Sequence, residues 1–251
     1  ARRKSFEQKR NNVEEEKMTT PTAYYFRIAG LYVKIIFLPS QRNSVSLIPS
    51  FQPFACKEVA DSDLFFQIDV DDNLRPVPKD QRSLIRDFDT GNGNIIVYQL
   101  TDGGYQYVIK DINGYSCALL ITNKNFVHCH CALNGNYDMR SFGLNSVLML
   151  AFAFAGASRS VLLIHASLVR HRGWGYPFIA KSGTGKSTQV SSWLRYIPDC
   201  DLMNDDNPIL RILDDGKPYI FGSPWSGKTP CYRNVMAPLG AVTRIDRADR
   251  N

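Results

Sequence analysis

Two stretches of this 251-residue chain have the residue types and spacing to wrap a phosphate. GSPWSGKT, residues 222–229, matches the pattern G-x-x-x-x-G-K-[ST] letter for letter, whereas AKSGTGKS, residues 180–187, matches only if Ala180 replaces the first glycine. Such a loop works because successive backbone N–H groups turn inward on an anion at a helix N-terminus, where unpaired amides and the helix dipole add to the attraction. Pro224 has no N–H to give, Trp225 needs the room a wrapped phosphate would fill, and Pro230 and Pro238 leave little chain for a following helix. AKSGTGKS puts Gly183 and Gly185 where the backbone must turn tightly, among Ser182, Thr184 and Thr188. It also supplies Lys186 to reach the β and γ phosphates and Ser187 to meet a magnesium ion. The imperfect match is therefore the expected phosphate loop.

A magnesium ion beside Ser187 needs a carboxylate from a neighbouring strand. DLMNDDNPIL, residues 201–210, is the first close acidic pair after the loop: a short apolar run, then Asp205 and Asp206, then Pro208. Two adjacent carboxylates can divide the work, one on the metal and one accepting a hydroxyl proton, and the spacing does not say which does which. An exposed turn is the competing reading, since Asn and Asp before Pro favour turns. HCHC at 128–131 looks like a zinc box, but in a strand His128 and His130 face one way while Cys129 and Cys131 face the other, so no face offers four ligands.

These residues need elements to carry them. Between 21 and 138 run YYFRIA, LYVKIIFL, LFFQIDV, NIIVYQL, YQYVIK, SCALLI and NFVHCHCAL, separated by turn signals such as GNGN at 91–94 and DGG at 102–104. The expectation is an antiparallel β-rich domain, sandwich-like or partly rolled. Near Tyr137 the texture changes to one long buried helix, followed by VLLIHASLV at 161–169, a turn at HRGWG, and YPFIA leading into the loop. The two strand runs read as a hairpin. After the loop, Val190, Trp193, Leu194 and Ile197 recur at i, i+3, i+4 and i+7, which predicts an amphipathic helix ending before Pro198.

Composition bounds the rest. An apolar fraction of 44% with 22% charged residues is that of a soluble globular protein. Residues 141–251 carry 13 basic and 8 acidic groups, an excess that suits an anionic ligand and is too weak for a nucleic-acid surface. The apolar run FGLNSVLMLAFAFAGA is too short to cross a bilayer, so no membrane role is expected. Residues 1–20 read as a flexible tail, basic first and acidic after, without the apolar core of a secretory signal. Six cysteines without small-secreted-domain spacing point to reduced thiols and a cytoplasmic protein; a homo-oligomer stays open.

Taken in order, IHAS with His165, the turn through GWG, FIAKSGTGKST, LMNDDNP and FGSPWSGKT resemble the P-loop kinases of the HPr kinase/phosphorylase and phosphoenolpyruvate carboxykinase type, closest to the HPr kinase-related branch, over about residues 139–245. The resemblance implies an α+β protein in which residues 139–251 form a P-loop α/β domain with a mixed sheet. It implies an ATP- and Mg2+-dependent transfer of the γ-phosphoryl to a hydroxyl, a Ser of a small protein or peptide. The loop from Ser182 to Thr188 would hold the nucleotide, and Ser187 and an aspartate the magnesium. Asp205 and Asp206 would serve as metal ligand and base, and His165 would lie close to the transferring phosphoryl. Lys228, Thr229 and Arg233, in and after the second glycine loop, either face the acceptor or the nucleotide or belong to a structural turn with a solvated lysine. The chain departs from the family in having no Glu after Glu58, and it stops at Asn251, where the family continues into further helices. It thus reads as truncated or short. The second functional class is a nucleotide-binding regulatory module that has lost its chemistry.

Overall fold

The computed structural model describes residues 20–181, 183–227 and 229–246. The expected tail, Ser182 and Lys228 lie outside the described residues, apart from Thr20 at the tail's end. Seventeen strands and two α-helices make up the described residues, with three sheets. The chain divides into two compact units, the second comprising Phe26–Leu31, Ser50–Cys56 and Ala153–Asn251.

The largest sheet has nine strands in the order β3-β1-β2-β4-β9-β8-β7-β6-β5. Its strands are β1 (Thr22–Ile28), β2 (Leu31–Phe37), β3 (Ala55–Cys56), β4 (Leu64–Val70), β5 (Arg82–Asp89), β6 (Asn94–Leu100), β7 (Tyr105–Lys110), β8 (Ser116–Thr122) and β9 (His128–Leu133). The sheet is mixed and not antiparallel throughout: β2 pairs β4 in parallel, and β4 pairs β9 in parallel. Parallel pairing needs a long crossover, and residues 38–63, wound through short 3-10 turns, supply one where a sequence reading sees only a break. In β9 the Cys129 and Cys131 side chains are buried and those of His128 and His130 exposed, the alternation a strand dictates. Burial pushes the Cys129 thiol up to about 12 and holds that of Cys131 well above its ordinary value, so both stay protonated at neutral pH.

Helix α1 (Tyr137–Gly156) has the length and apolarity of a membrane span, yet half of its apolar window is buried in protein. Leu144, Val147, Leu148, Ala151 and Phe152 are sealed from solvent, and Phe152 meets Phe65 edge to face at 5.1 Å. Gly143 permits this approach, since a Cβ there would lie 2.8 Å from the Cys117 carbonyl oxygen.

The second unit corrects the expected P-loop α/β domain: strand outweighs helix in the protein, 42% against 20%, and among the described residues from 157 onward there are two small sheets served by one α-helix. One sheet runs β10 (Val161–Leu163), β14 (Ile209–Ile212), β15 (Pro218–Phe221) and β16 (Met236–Pro238). The other runs β13 (Cys200–Asp206), β11 (Ala166–His171), β12 (Trp174–Ile179) and β17 (Thr243–Arg244). Leu168 and Met203 of one sheet and Ile220 and Ala237 of the other form a buried cluster between them. On the far face of the β13-β11-β12-β17 sheet, α2 (Lys186–Tyr196) packs Val190 and Trp193 against Val169 and Phe178. Leu194, expected on the buried stripe, is 39% exposed, and Ile197 lies beyond the helix as its C-cap. One helix covering one face of one small sheet leaves the strands to bury one another, which is why the layers are β on β and not α on β.

VLLIHASLV is not one strand. It breaks at Ile164 and His165, β10 joining one sheet and β11 the other. The partner chain breaks at the same level: β13 ends at Asp206, Asn207 and Pro208 intervene, and β14 begins in the other sheet, with Leu163 opposite Ile209 and Ala166 opposite Asp206. Two paired strands thus turn one shared corner.

Along β13 and β11, Arg170 grips Asp201 through two hydrogen bonds of 2.9 Å, and Arg233 adds a third contact. Partial burial works against the Asp201 carboxylate, but the two guanidiniums outweigh it and hold its pKa below the ordinary value. A depressed carboxylate contributes stability that is present above the unfolded-state value, about 3.9, and is lost as pH falls through the lower folded value. Asp201→Asn is therefore expected to melt below wild type near neutral pH, with the gap closing under acid conditions; thermal melts with a gap that stays constant down to about pH 3 would contradict this.

Candidate functional site

The corner gathers the predicted residues. His165 occupies the break between β10 and β11, its Nδ1 2.9 Å from Asp206 Oδ1 and its Nε2 2.9 Å from Lys186 Nζ. Both contacts are satisfied when a neutral imidazole donates Nδ1–H to the carboxylate and accepts from the lysine ammonium at Nε2. Lys186 Nζ also donates to the Ala180 carbonyl oxygen at 3.0 Å, so the side chain folds back over its own loop and is only 9% exposed.

The loop between β12 and α2 owes its path to two glycines. Gly183 has φ +76° and Gly185 φ +119°, conformations that side-chain-bearing residues rarely adopt. A Cβ at either would touch no atom within 4 Å, so backbone conformation and not crowding demands glycine. Gly185 is the N-cap of α2 and brings no side-chain oxygen to the first-turn amides of Lys186, Ser187 and Thr188. Thr184 closes a turn by donating its N–H to the Lys181 carbonyl at 3.2 Å.

Asp205 and Asp206 end β13 and are not an exposed turn. Asp205 is 7% exposed and its Oδ1 accepts from Ser167 Oγ at 2.7 Å and from Ser187 Oγ at 3.4 Å. Asp206 faces His165 instead. The two carboxylates thus have different neighbours: one shares hydroxyls with the loop, the other holds an imidazole.

The second glycine stretch does something else. Ser223, Pro224 and Trp225 are buried, and Trp225 meets Phe51 edge to face at 5.7 Å. Ser226 and Gly227, and further on Cys231 and Arg233, cover the edge of β13 that β11 leaves free. Gly227 N–H donates to the Asp205 carbonyl at 3.2 Å, Ser226 bridges Asp206, and the Cys231 thiol reaches the Leu202 carbonyl. Its glycines are there for close approach: a Cβ on Gly222 would collide with the Arg233 carbonyl oxygen, and one on Gly227 would lie 2.8 Å from that of Asp205. Arg233, expected at the acceptor or nucleotide, spends its guanidinium on Asp201 and the Leu202 carbonyl. Thr229 is exposed, and its carbonyl accepts from Ser226 Oγ at 2.7 Å.

Two residues here escaped sequence reasoning. Ser167 carries no signal beyond standing two places after His165. Asn204 had one, because Asn just before a pair of aspartates is a candidate for bonding the backbone two residues on.

Among the described residues no three His, Cys, Asp or Glu side chains cluster as a metal cage. Ser187, Asp205 and Asp206 are nonetheless an oxygen-only donor set, the kind that suits magnesium, which is commonly held by one or two carboxylates together with substrate phosphates. No protein-family model matches this chain, and no curated protein matches it.

If Gly227 serves packing against β13, Gly227→Ala destabilises the fold by about 1–3 kcal/mol in denaturant titrations, the usual cost of overpacking. A variant as stable as wild type but impaired in anion binding would return this loop to phosphate duty.

Proposed function

We propose that the chain is an ATP- and magnesium-dependent phosphotransferase related to HPr kinase, moving the γ-phosphoryl of ATP to a hydroxyl, a serine of a small protein or peptide. One observation supports the reading: the loop lysine reaches Asp206 through His165 and the loop serine reaches Asp205, so two hydrogen-bonded groups end on adjacent carboxylates at the corner of the second unit. A lysine buried for packing alone has no need of a glycine-bent loop and a histidine–carboxylate pair beside it.

Residue roles follow from neighbours. The amides from Ser182 to Thr188 and the Lys186 ammonium hold and orient the triphosphate. Ser187 and Asp205 would hold magnesium, which when bound neutralises charge on the phosphates. Asp206, oriented by His165, takes the proton from the acceptor hydroxyl. The hydroxyl oxygen then bonds to the γ-phosphorus as the bond to the β–γ bridging oxygen breaks, and ADP leaves with that electron pair. The cationic balance of residues 141–251 favours the polyanionic substrate. We place the protein in the cytoplasm, where its six free thiols stay reduced.

Lys186→Ala is expected to weaken ATP binding. Asp205→Asn and Asp206→Asn are each expected to lower ADP release by about 10²–10⁴-fold with a panel of serine-bearing peptides while ATP binding stays measurable by calorimetry. Binding without ADP release on any acceptor would instead identify a regulatory nucleotide module, which ATP stabilises by linkage alone. Absence of ATP binding to the wild-type protein would end both readings.

A further inference from the structure

One side chain at the corner is wholly buried, polar and outside the roles assigned so far. Asn204 has no solvent exposure, and it spends both ends of its amide. Its Oδ1 accepts from the backbone N–H of Asp206 at 3.0 Å and of Asn207 at 2.9 Å. Its Nδ2 donates to Ser223 Oγ at 3.1 Å, to the Trp225 carbonyl at 3.0 Å and to the Ser223 carbonyl at 3.4 Å.

The two ends have different consequences. A strand ending at the corner loses its ladder partners there, and the half-buried amides of Asp206 and Asn207 take the Asn204 side chain as their acceptor in place of a neighbouring strand. The Oδ1 contacts satisfy them in the bent conformation and so fix the backbone direction in which the Asp206 side chain leaves β13. The Nδ2 contacts pin the buried turn Ser223–Trp225 to the same atom group. That turn leads into Ser226 and Gly227, which lie against Asp206 and Asp205. Ser223 is itself fully buried and closes the network by donating to the Trp225 carbonyl at 2.9 Å and accepting from the Trp225 N–H at 3.2 Å.

We propose that Asn204 is the positioning residue for the carboxylate pair, and that it locks the Ser223–Gly227 segment and the two aspartates into a single unit that receives magnesium-bound nucleotide. It touches neither nucleotide nor metal; it acts through the backbone of Asp206 and through Ser223. The proposal rests on the nucleotide-binding reading of the site, but not on turnover, and it assigns this glycine-containing loop a purpose that its match to the phosphate-loop pattern hides.

The test is the affinity of the intact protein for ATP with magnesium against ATP with a chelator, measured by calorimetry for wild type, Asn204→Ser and Ser223→Ala. A serine at 204 retains an acceptor for a nearby amide but cannot span to the loop. Wild type is expected to gain affinity from magnesium. Asn204→Ser is expected to lose about tenfold or more of that gain, the usual effect of removing a group that orients ligands, while its chelator-treated affinity stays at the wild-type value. Ser223→Ala, a one-atom deletion, is expected to lose a smaller part of the same gain. An Asn204→Ser protein that keeps the whole magnesium gain overturns the proposal, as does a wild type that gains nothing from magnesium. If Asn204→Ser does not fold, Ser223→Ala decides alone, and an undiminished gain in that variant overturns it. Failure of the phosphotransferase reading would look different: a magnesium gain in wild type with no ADP release on any acceptor.

Discussion

Backbone amides cannot be left unbonded where a paired ribbon bends inside a protein, and the corner at residues 163–166 and 206–209 is built around that requirement. Both strands leave one sheet and enter another at the same level, so several peptide groups lose their ladder partners together. Asn204 satisfies two of them, and Ile164 N–H finds the Pro208 carbonyl at 3.1 Å. Once the bend is stabilised in this way, Asp205 and Asp206 acquire different surroundings although they are adjacent in sequence. A straight strand would also have separated them, but without the sheet change His165 would have continued the β ladder and not faced Asp206.

The same economy explains the misleading second glycine stretch. An edge strand such as β13 exposes a row of peptide groups that can pair with other chains, and proteins commonly cover such edges with irregular segments. Here the cover is residues 222–227 together with Cys231 and Arg233, and it must lie close, which selects Gly222 and Gly227. A loop that hugs a strand and a loop that hugs a phosphate both need small residues and tight turns. Their sequences converge for that reason, and only Pro224 and Trp225 betray the difference.

Much of the local structure was legible. The seven β-rich runs of the first part, the long apolar helix α1 and the step from β12 through the glycine loop into α2 all fall where pattern and turn chemistry put them. β5 was missed because RSLIRDFD is exposed along most of its length and has neither alternation nor an apolar run. The architecture was not legible. Parallel pairing of β2, β4 and β9 depends on where long connections go, and the two-sheet arrangement of the second unit depends on a break inside VLLIHASLV that hydrophobicity does not mark. For the site, residue types singled out Lys186, Ser187, Asp205 and Asp206, and the resemblance added His165. Their mutual contacts, and the diversion of Arg233 to Asp201, are three-dimensional facts with no trace in spacing.

The resting partnership of Lys186 carries a further consequence. Its ammonium carries three hydrogens, and the Ala180 carbonyl and the His165 ring nitrogen take two of them. The head of the side chain is therefore tethered from two directions, by the end of β12 and by the break before β11. A shift of either element re-aims the same cation, so the loop's positive charge is steered by the corner as well as by its own helix.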